Sequence, residues 1–441
     1  MESVLGHLVG KDVYRNLGKG IDKLHVRTPW NEELYAVLKE LYTTEEAELI
    51  VKMPMVFSGI DRISRISKMP LAKLQKILNR LSNKGLVMDF FIGGEQKYMA
   101  SPFIVGIFEF AMMRTVGQPD TKKHAKLLSA YLKEGSFFHA NFPAENQISF
   151  ARALPHQEAL ADHVEILDYE SVEQMVEAND KFALGLCSCR HKREHAEGVS
   201  CDKGTKLETC TSFGNAADYI IRNKMGREIS KSEVLDICAE SKASGLVFSA
   251  DNVQQKSMFL CHCCGCCCSI FQGINEQGLS NALMTSSCVI ELDVTSCVGC
   301  GKCETECPTK AIKMEAVTPS ATEKRKKLPQ IDHSFCIGCG VCALKCTPGS
   351  LQLVKREKRV IHPATTFERV MLQCLERGTL QNQIFDNPES MTQEMMRGFI
   401  GGFLRLPPVK KALMSDLLRS TFLKAMGAGV RVIGKGYVHE L

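Results

Sequence analysis

Residues 295–308 read TSCVGCGKCETECP. Cys297, Cys300, Cys303 and Cys307 follow the spacing C-x2-C-x2-C-x3-C with Pro308 behind the last, and Cys336, Cys339, Cys342 and Cys346 repeat that spacing. Three cysteines in one tight loop can place thiolates on three corners of a [4Fe–4S] cube, while a fourth that opens a short helix turning away reaches a second cube. Gly299, Gly301, Gly338 and Gly340 let the loop backbone curl towards the inorganic sulfides and aim amide N–H groups at them. A pair of zinc sites would use C-x2-C pairs, but zinc does not call for three evenly spaced cysteines and a fourth before proline, twice over.

The spacing sits inside an internal repeat. IELDVTSCVGCGKCETECPTKAIKM at 290–314 aligns with PQIDHSFCIGCGVCALKCTPGSLQL at 329–353. This repeat resembles the bacterial-type two-[4Fe–4S] ferredoxin domain. The resemblance implies that Cys297, Cys300, Cys303 and Cys346 hold one cluster, and Cys336, Cys339, Cys342 and Cys307 the other. Two departures stand out. Thr347 separates Cys346 from Pro348, and the gap from Cys307 to Cys336 carries ATEKRKKLP (321–329), which reads as a solvated basic loop.

Upstream lie GLCSCRHKREH (185–195), Cys201, ETCTSFGNAADY (208–219) and CHCCGCCC (261–268). Cys187, Cys189, Cys201, Cys210, Cys261, Cys263, Cys264, Cys266, Cys267 and Cys268 are candidate metal ligands. Neighbouring thiols pair poorly as disulfides, because the bridge needs a particular Cα separation and torsion. A packed core is a poor account too, since nothing apolar punctuates the last run before Ile270. Crowded thiolates repel, and cations relieve the repulsion. Two further four-iron clusters, one cluster plus one zinc, or one larger irregular cluster all fit the count. Within the octet, C-x2-C pairs can be drawn as Cys261–Cys264, Cys263–Cys266 or Cys264–Cys267. His191, His195 and His262 lie beside these cysteines. A histidine ligand would raise a cluster's potential, but RHKREH reads as an exposed charged loop. Its Arg190, Lys192 and Arg193 can offset cluster charge. Cys238 falls among Val234, Leu235 and Ile237 and reads as core.

The N-terminal part carries no cysteine chemistry. Residues 31–52 read as two short helices, with Asn31 as a cap and Thr43 and Glu46 as a capping box. Residues 59–67 read as another helix. A longer one runs from Pro70 to its stop at Gly85, and a hairpin turns at Gly93-Gly94. This order resembles a winged helix. Lys68, Lys73, Lys76, Arg80 and Lys84 decorate its main helix, as phosphate contacts would require. Glu32, Glu33, Glu40, Glu45, Glu46 and Glu48 make the preceding helices acidic, so protein docking is favoured over DNA.

Composition sets the setting. The chain has 21 cysteines in 441 residues and a net charge of +5. Its start lacks a basic segment followed by an apolar run, so no secretory signal is expected. No run is long and apolar enough to cross a membrane. Such a thiol-rich chain belongs in a reducing compartment, the cytoplasm. There is neither a G-x-G-x-x-G after a strand nor a phosphate loop. An electron source is therefore expected to be a redox partner protein. The basic amphipathic tail is expected to pack on its own protein.

The whole also resembles a group of anaerobe 4Fe–4S ferredoxin-domain proteins, through YRNL (14–17), EEAELI (45–50), FIVGIFEF (103–110), the C-x-C-R-H segment at 187–191, CHCCGCCC and the ferredoxin repeat. That resemblance implies iron–sulfur electron transfer in an anaerobic redox system and names no substrate. The expected architecture is a multi-domain α+β protein. It has a winged-helix-like region (1–115), a helical cysteine-rich metal-binding domain (116–289), a two-cluster ferredoxin domain (290–355) and a helical tail (356–441). Its expected cofactors are two [4Fe–4S] clusters and one or two more upstream. Catalysis at the upstream cluster is the first alternative to pure electron transfer. An iron–sulfur winged-helix transcription regulator is the second.

Overall fold

The computed structural model describes residues 12–113, 121–317, 325–357, 360–432 and 434–437. The N-terminal start and residues 318–324, which include the first four residues of the basic insertion, lie outside these. The protein mixes helices with several small sheets. No helix among the described residues is long and apolar enough to cross a membrane.

The N-terminal helices fall at Glu32–Leu41, Thr44–Lys52, Ile60–Ser67 and Leu71–Lys84. Asn31 caps the first by accepting from the Leu34 N–H, and Thr43 and Glu46 close a reciprocal capping box on the second. Strands β1 (Ser58–Gly59), β2 (Val87–Ile92) and β3 (Glu95–Ala100) form a sheet in the order β1-β3-β2. Gly93 and Gly94 both take positive φ, which matches the two-residue turn favoured by twisted strands.

Two features turn this unit inward. Phe90 of β2 stacks on Phe57 and meets Tyr219 edge-on, while Arg222 bonds the Asp89 carboxylate at 2.7 Å. The basic helix is also largely neutralised. Lys73 pairs with Glu45 at 3.0 Å, and Arg80 and Lys84 pair with buried Glu46 at 2.6 and 2.8 Å. Burial alone would push the Glu46 carboxyl up, but hydrogen bonds from Lys84, the Thr43 N–H and Arg80 hold it below the usual range.

The middle of the chain departs from its expected helical character. It is organised around a six-stranded antiparallel sheet: β4 (Ala151–Leu154), β5 (Phe182–Leu186), β6 (Glu208–Phe213), β7 (Gly226–Ile229), β8 (Val247–Asp251) and β9 (Phe259–Cys263), in the order β4-β8-β9-β6-β5-β7. The strands are short and β4 and β8 are buried along their whole length, so neither carries the alternation that marks a half-buried strand. Two others end in cysteine-rich segments whose residues look like ligands and not like sheet. Cys238 is buried core, as read, on the helix Lys231–Ala243, which Ser230 caps.

Strands β10 (Cys288–Leu292) and β13 (Leu351–Lys355) pair antiparallel, as do β11 (Ile312–Ala316) and β12 (Lys327–Ile331). The insertion read as a loop therefore ends in a strand: Lys327, Leu328 and Pro329 pair with Ala316, Glu315 and Met314. The pairing partner is the strand just before the insertion, so the basic segment closes a hairpin. The His156 N–H donates to the Cys339 carbonyl at 3.0 Å and ties this ribbon to the larger sheet.

In the tail, the helix Thr366–Arg377 packs its Phe367, Met371, Leu372 and Leu375 into a core with Met414. In the amphipathic segment 407–436, Phe422, Leu423, Met426 and Val430 pack against this core while Leu417, Leu418 and Val432 are exposed. The preceding helix leaves Met391, Met395, Phe399 and Phe403 exposed.

Candidate metal centres

The repeated cysteines emerge from two loops capped by short helices, Lys302–Glu306 and Val341–Leu344. Gly299, Gly301, Gly338 and Gly340 all take φ between +67 and +81°, which only glycine adopts freely. Backbone N–H groups point at sulfur: Gly299 to Cys297 Sγ at 3.4 Å and Ala311 to Cys307 Sγ at 3.2 Å. Cys336 and Cys339 also accept from backbone N–H groups, those to Cys336 coming from Ile290 and Gly338 and that to Cys339 from Val341. Such bonds stabilise a thiolate-bound cluster. Cys307 lies close enough to Cys336, Cys339 and Cys342 to raise the latter two thiols, after the larger effect of burial. Cys303 senses Cys300 and Cys297 in the same way. Cys300 is exposed, whereas Cys336, Cys339 and Cys342 are buried.

The ten upstream cysteines divide into two groups. Cys201, Cys264, Cys266 and Cys267 bring their sulfurs together within 4.8 Å of one another. Contact with the three other thiols pulls the Cys201 pKa down, and the same contact pushes Cys266 and Cys267 up. The remaining six are placed by the sheet. Thr211 of β6 pairs with Leu260 of β9, which sets Cys210 against Cys261. Cys261 and Cys263 share one face of β9. Cys187 and Cys189 begin the helix Ser188–Glu197 after β5, and Cys268 caps the helix Ser269–Gln277. Contacts run from Cys210 to Cys261, to Cys263, to Cys268 and to Cys189. Neighbouring thiols first, and burial next, hold Cys189, Cys261 and Cys263 well above the ordinary thiol range, and burial lifts Cys187 to about 11. Thiols so reluctant to ionise together suit a bound cation, which takes the place of their protons.

The segment RHKREH is not the exposed loop expected. It lies in the helix Ser188–Glu197, and Arg190, His191 and Lys192 are buried. Charge alone suggested solvent, but the charges face sulfur. Arg193 Nη1 is 3.4 Å from Cys267 Sγ, Arg190 bonds Cys264, and Lys192 lies near Cys189 and Cys268. His191 instead bonds the Met112 carbonyl at 2.5 Å, and His262 meets Thr211 at 3.4 Å. His195 packs edge-on against His191.

Two features escaped the sequence reading. The first is a cavity of about 430 Å³ lined by the six sheet-placed cysteines and also by Cys264 and Cys267. Glu109 also lines it, with a carboxyl that burial raises to about 7. A lone carboxylate inside FIVGIFEF was the available signal. The second is Cys288, buried at the start of β10 beside Ser287.

Residues 296–350 match the 4Fe-4S dicluster domain family. The chain thus carries an iron–sulfur domain of the ferredoxin type. No curated protein and no solved structure matches the chain.

Proposed function

We propose that this protein passes electrons from a redox partner protein, through two ferredoxin-type [4Fe–4S] clusters, to or from a further iron–sulfur centre held by the upstream cysteines. One cluster is assigned to Cys297, Cys300, Cys303 and Cys346, the other to Cys336, Cys339, Cys342 and Cys307. The observation that carries the reading is the seating of CHCCGCCC on the ferredoxin loop. A Cβ on Gly265 would stand 3.1 Å from Pro308 Cα, the residue after Cys307, and Asn275 donates to the Pro308 carbonyl at 3.0 Å. Exposed Cys300 gives the chain a surface end for a partner, and the buried loop leads inward. The setting is an anaerobic cytoplasm. Residues 1–115 act as a winged-helix-like docking region ahead of the metal-binding (116–289), ferredoxin (290–355) and tail (356–441) domains. The ion pairs on Lys73, Arg80 and Lys84 count against a DNA-binding regulator.

The cavity favours a second reading, an oxidoreductase whose chemistry occurs at the upstream cysteines. Iron, sulfide and zinc per chain, measured on protein purified without oxygen, test the relay. More than about eight irons, the content of two cubes, is expected. Eight irons with no further low-temperature EPR signal would remove the upstream iron centre.

A further inference from the structure

The ten upstream cysteines do not share one geometry. In the tight group, Cys201 Sγ stands 3.6 Å from Cys264 Sγ and 3.8 Å from Cys266 Sγ, and Cys266 Sγ stands 3.5 Å from Cys267 Sγ. Four thiolates bound to one tetrahedral ion at about 2.3 Å are separated by about 3.8 Å. On a cube each thiolate belongs to a different iron, so the sulfurs spread wider. The same structure supplies the contrast. Among the described residues, neither the eight ferredoxin cysteines nor the other six upstream cysteines form a group this compact. We propose that Cys201, Cys264, Cys266 and Cys267 hold a single zinc ion and no cluster. The proposal refines the upstream site: zinc on four cysteines, with the iron–sulfur centre left to the other six. Four thiolates on a divalent ion leave excess negative charge, and Arg193 and Arg190 lie against it. Zinc carries no redox change, so its part is to clasp the Gly265 turn against Pro308, a clasp reinforced by the ion pair of Lys203 with Glu306.

Zinc-edge X-ray absorption on the anaerobically purified full chain tests this without a variant. One zinc with four sulfur neighbours at about 2.3 Å is expected. Cys201→Ser is expected to lose the zinc and keep the iron count. Absence of zinc, a single iron in its place, or a loss of about four irons in Cys201→Ser would each overturn the proposal. An unchanged upstream iron count keeps this result separate from the fate of the relay.

A second inference comes from the cavity walls. Phe57, Phe90, Phe110, Phe150, Met113 and Met258 make them mostly apolar. Polar groups interrupt them. Arg369 Nε, Ser249 Oγ, Thr366 Oγ1 and Gln383 Nε2 belong to lining residues and are buried without a hydrogen-bond partner. Buried donors left unpaired are costly, so such a lining suits a ligand acceptor. The Arg369 charge is offset by Asp251 at 3.7 Å, and burial lowers His25, which also lines the cavity, to about 3. The geometry points to an uncharged, largely apolar molecule bearing a carbonyl-type oxygen, bound in the cavity that the six cysteines help to line. This deepens the reading of that site as catalytic, yet binding is measurable whatever the metal content.

Equilibrium dialysis of the holoprotein against 2-acetylnaphthalene, naphthalene and 2-naphthoate tests it. The ketone is expected to bind up to roughly tenfold tighter than naphthalene, the worth of a hydrogen bond to paired donors. Thr366→Val with Gln383→Leu is expected to abolish that gap and leave naphthalene binding in place. No binding of the ketone, equal binding of ketone and naphthalene, or preference for the carboxylate would overturn the inference.

Discussion

Cys307→Ala is expected to remove the buried ferredoxin cluster and leave intact the surface one beside it in sequence. Cys307 follows the Cys297–Cys303 loop, so a local reading would assign it there. Its sulfur instead shares a field with Cys336, Cys339 and Cys342. The short helix Lys302–Glu306 explains this, because it carries the chain from the first loop across to the second. Anaerobic iron analysis should show a loss of about four irons per chain. Low-temperature EPR of the reduced protein should then match Cys339→Ala, which removes the buried cluster under any ligand assignment, and differ from Cys300→Ala. A spectrum matching Cys300→Ala would mean that each loop ligates its own cluster.

Gly338→Ala should be the most damaging of the loop glycine substitutions. Gly338 has φ +67°, and a Cβ there would overlap the Cys288 carbonyl oxygen and the Ser286 hydroxyl. The left-handed backbone alone costs a non-glycine residue about 1–2 kcal/mol. The overlap is with backbone of β10, which cannot swing aside, so a total on the order of 4 kcal/mol is expected. Gly349→Ala is the control. Its φ is +70° but nothing stands within 4 Å of the added carbon, so about 1 kcal/mol is expected. Urea unfolding of the anaerobic proteins measures both. Gly338→Ala should also lose the cluster bound by Cys336, Cys339 and Cys342, since the displaced loop carries all three. Equal midpoints for the two variants would show that the β10 contact yields easily.

The helices at Glu32–Leu41 and Thr44–Lys52, the hairpin at Gly93-Gly94 and the doubled cysteine loops could be read directly from residue order. Each depends on partners a few residues apart: a cap and its N–H, two glycines in one turn, three thiols in one loop. The six-stranded sheet could not be read that way. Its neighbours β6 and β9 are joined at Thr211 and Leu260, and pairing over such a span depends on the rest of the fold. The same distance explains the upstream cysteines. The sequence by itself determined that ten thiols crowd together upstream, and that two loops carry cube spacing. Only the tertiary structure sorted the ten into four and six. Cys201 reaches Cys264 across the fold, and alternation along β9 turns Cys261 and Cys263 towards a cavity walled by residues as distant as Phe57 and Arg369. Local spacing limits what a ligand set can be, but which sulfurs share an ion is decided by distances that only packing creates.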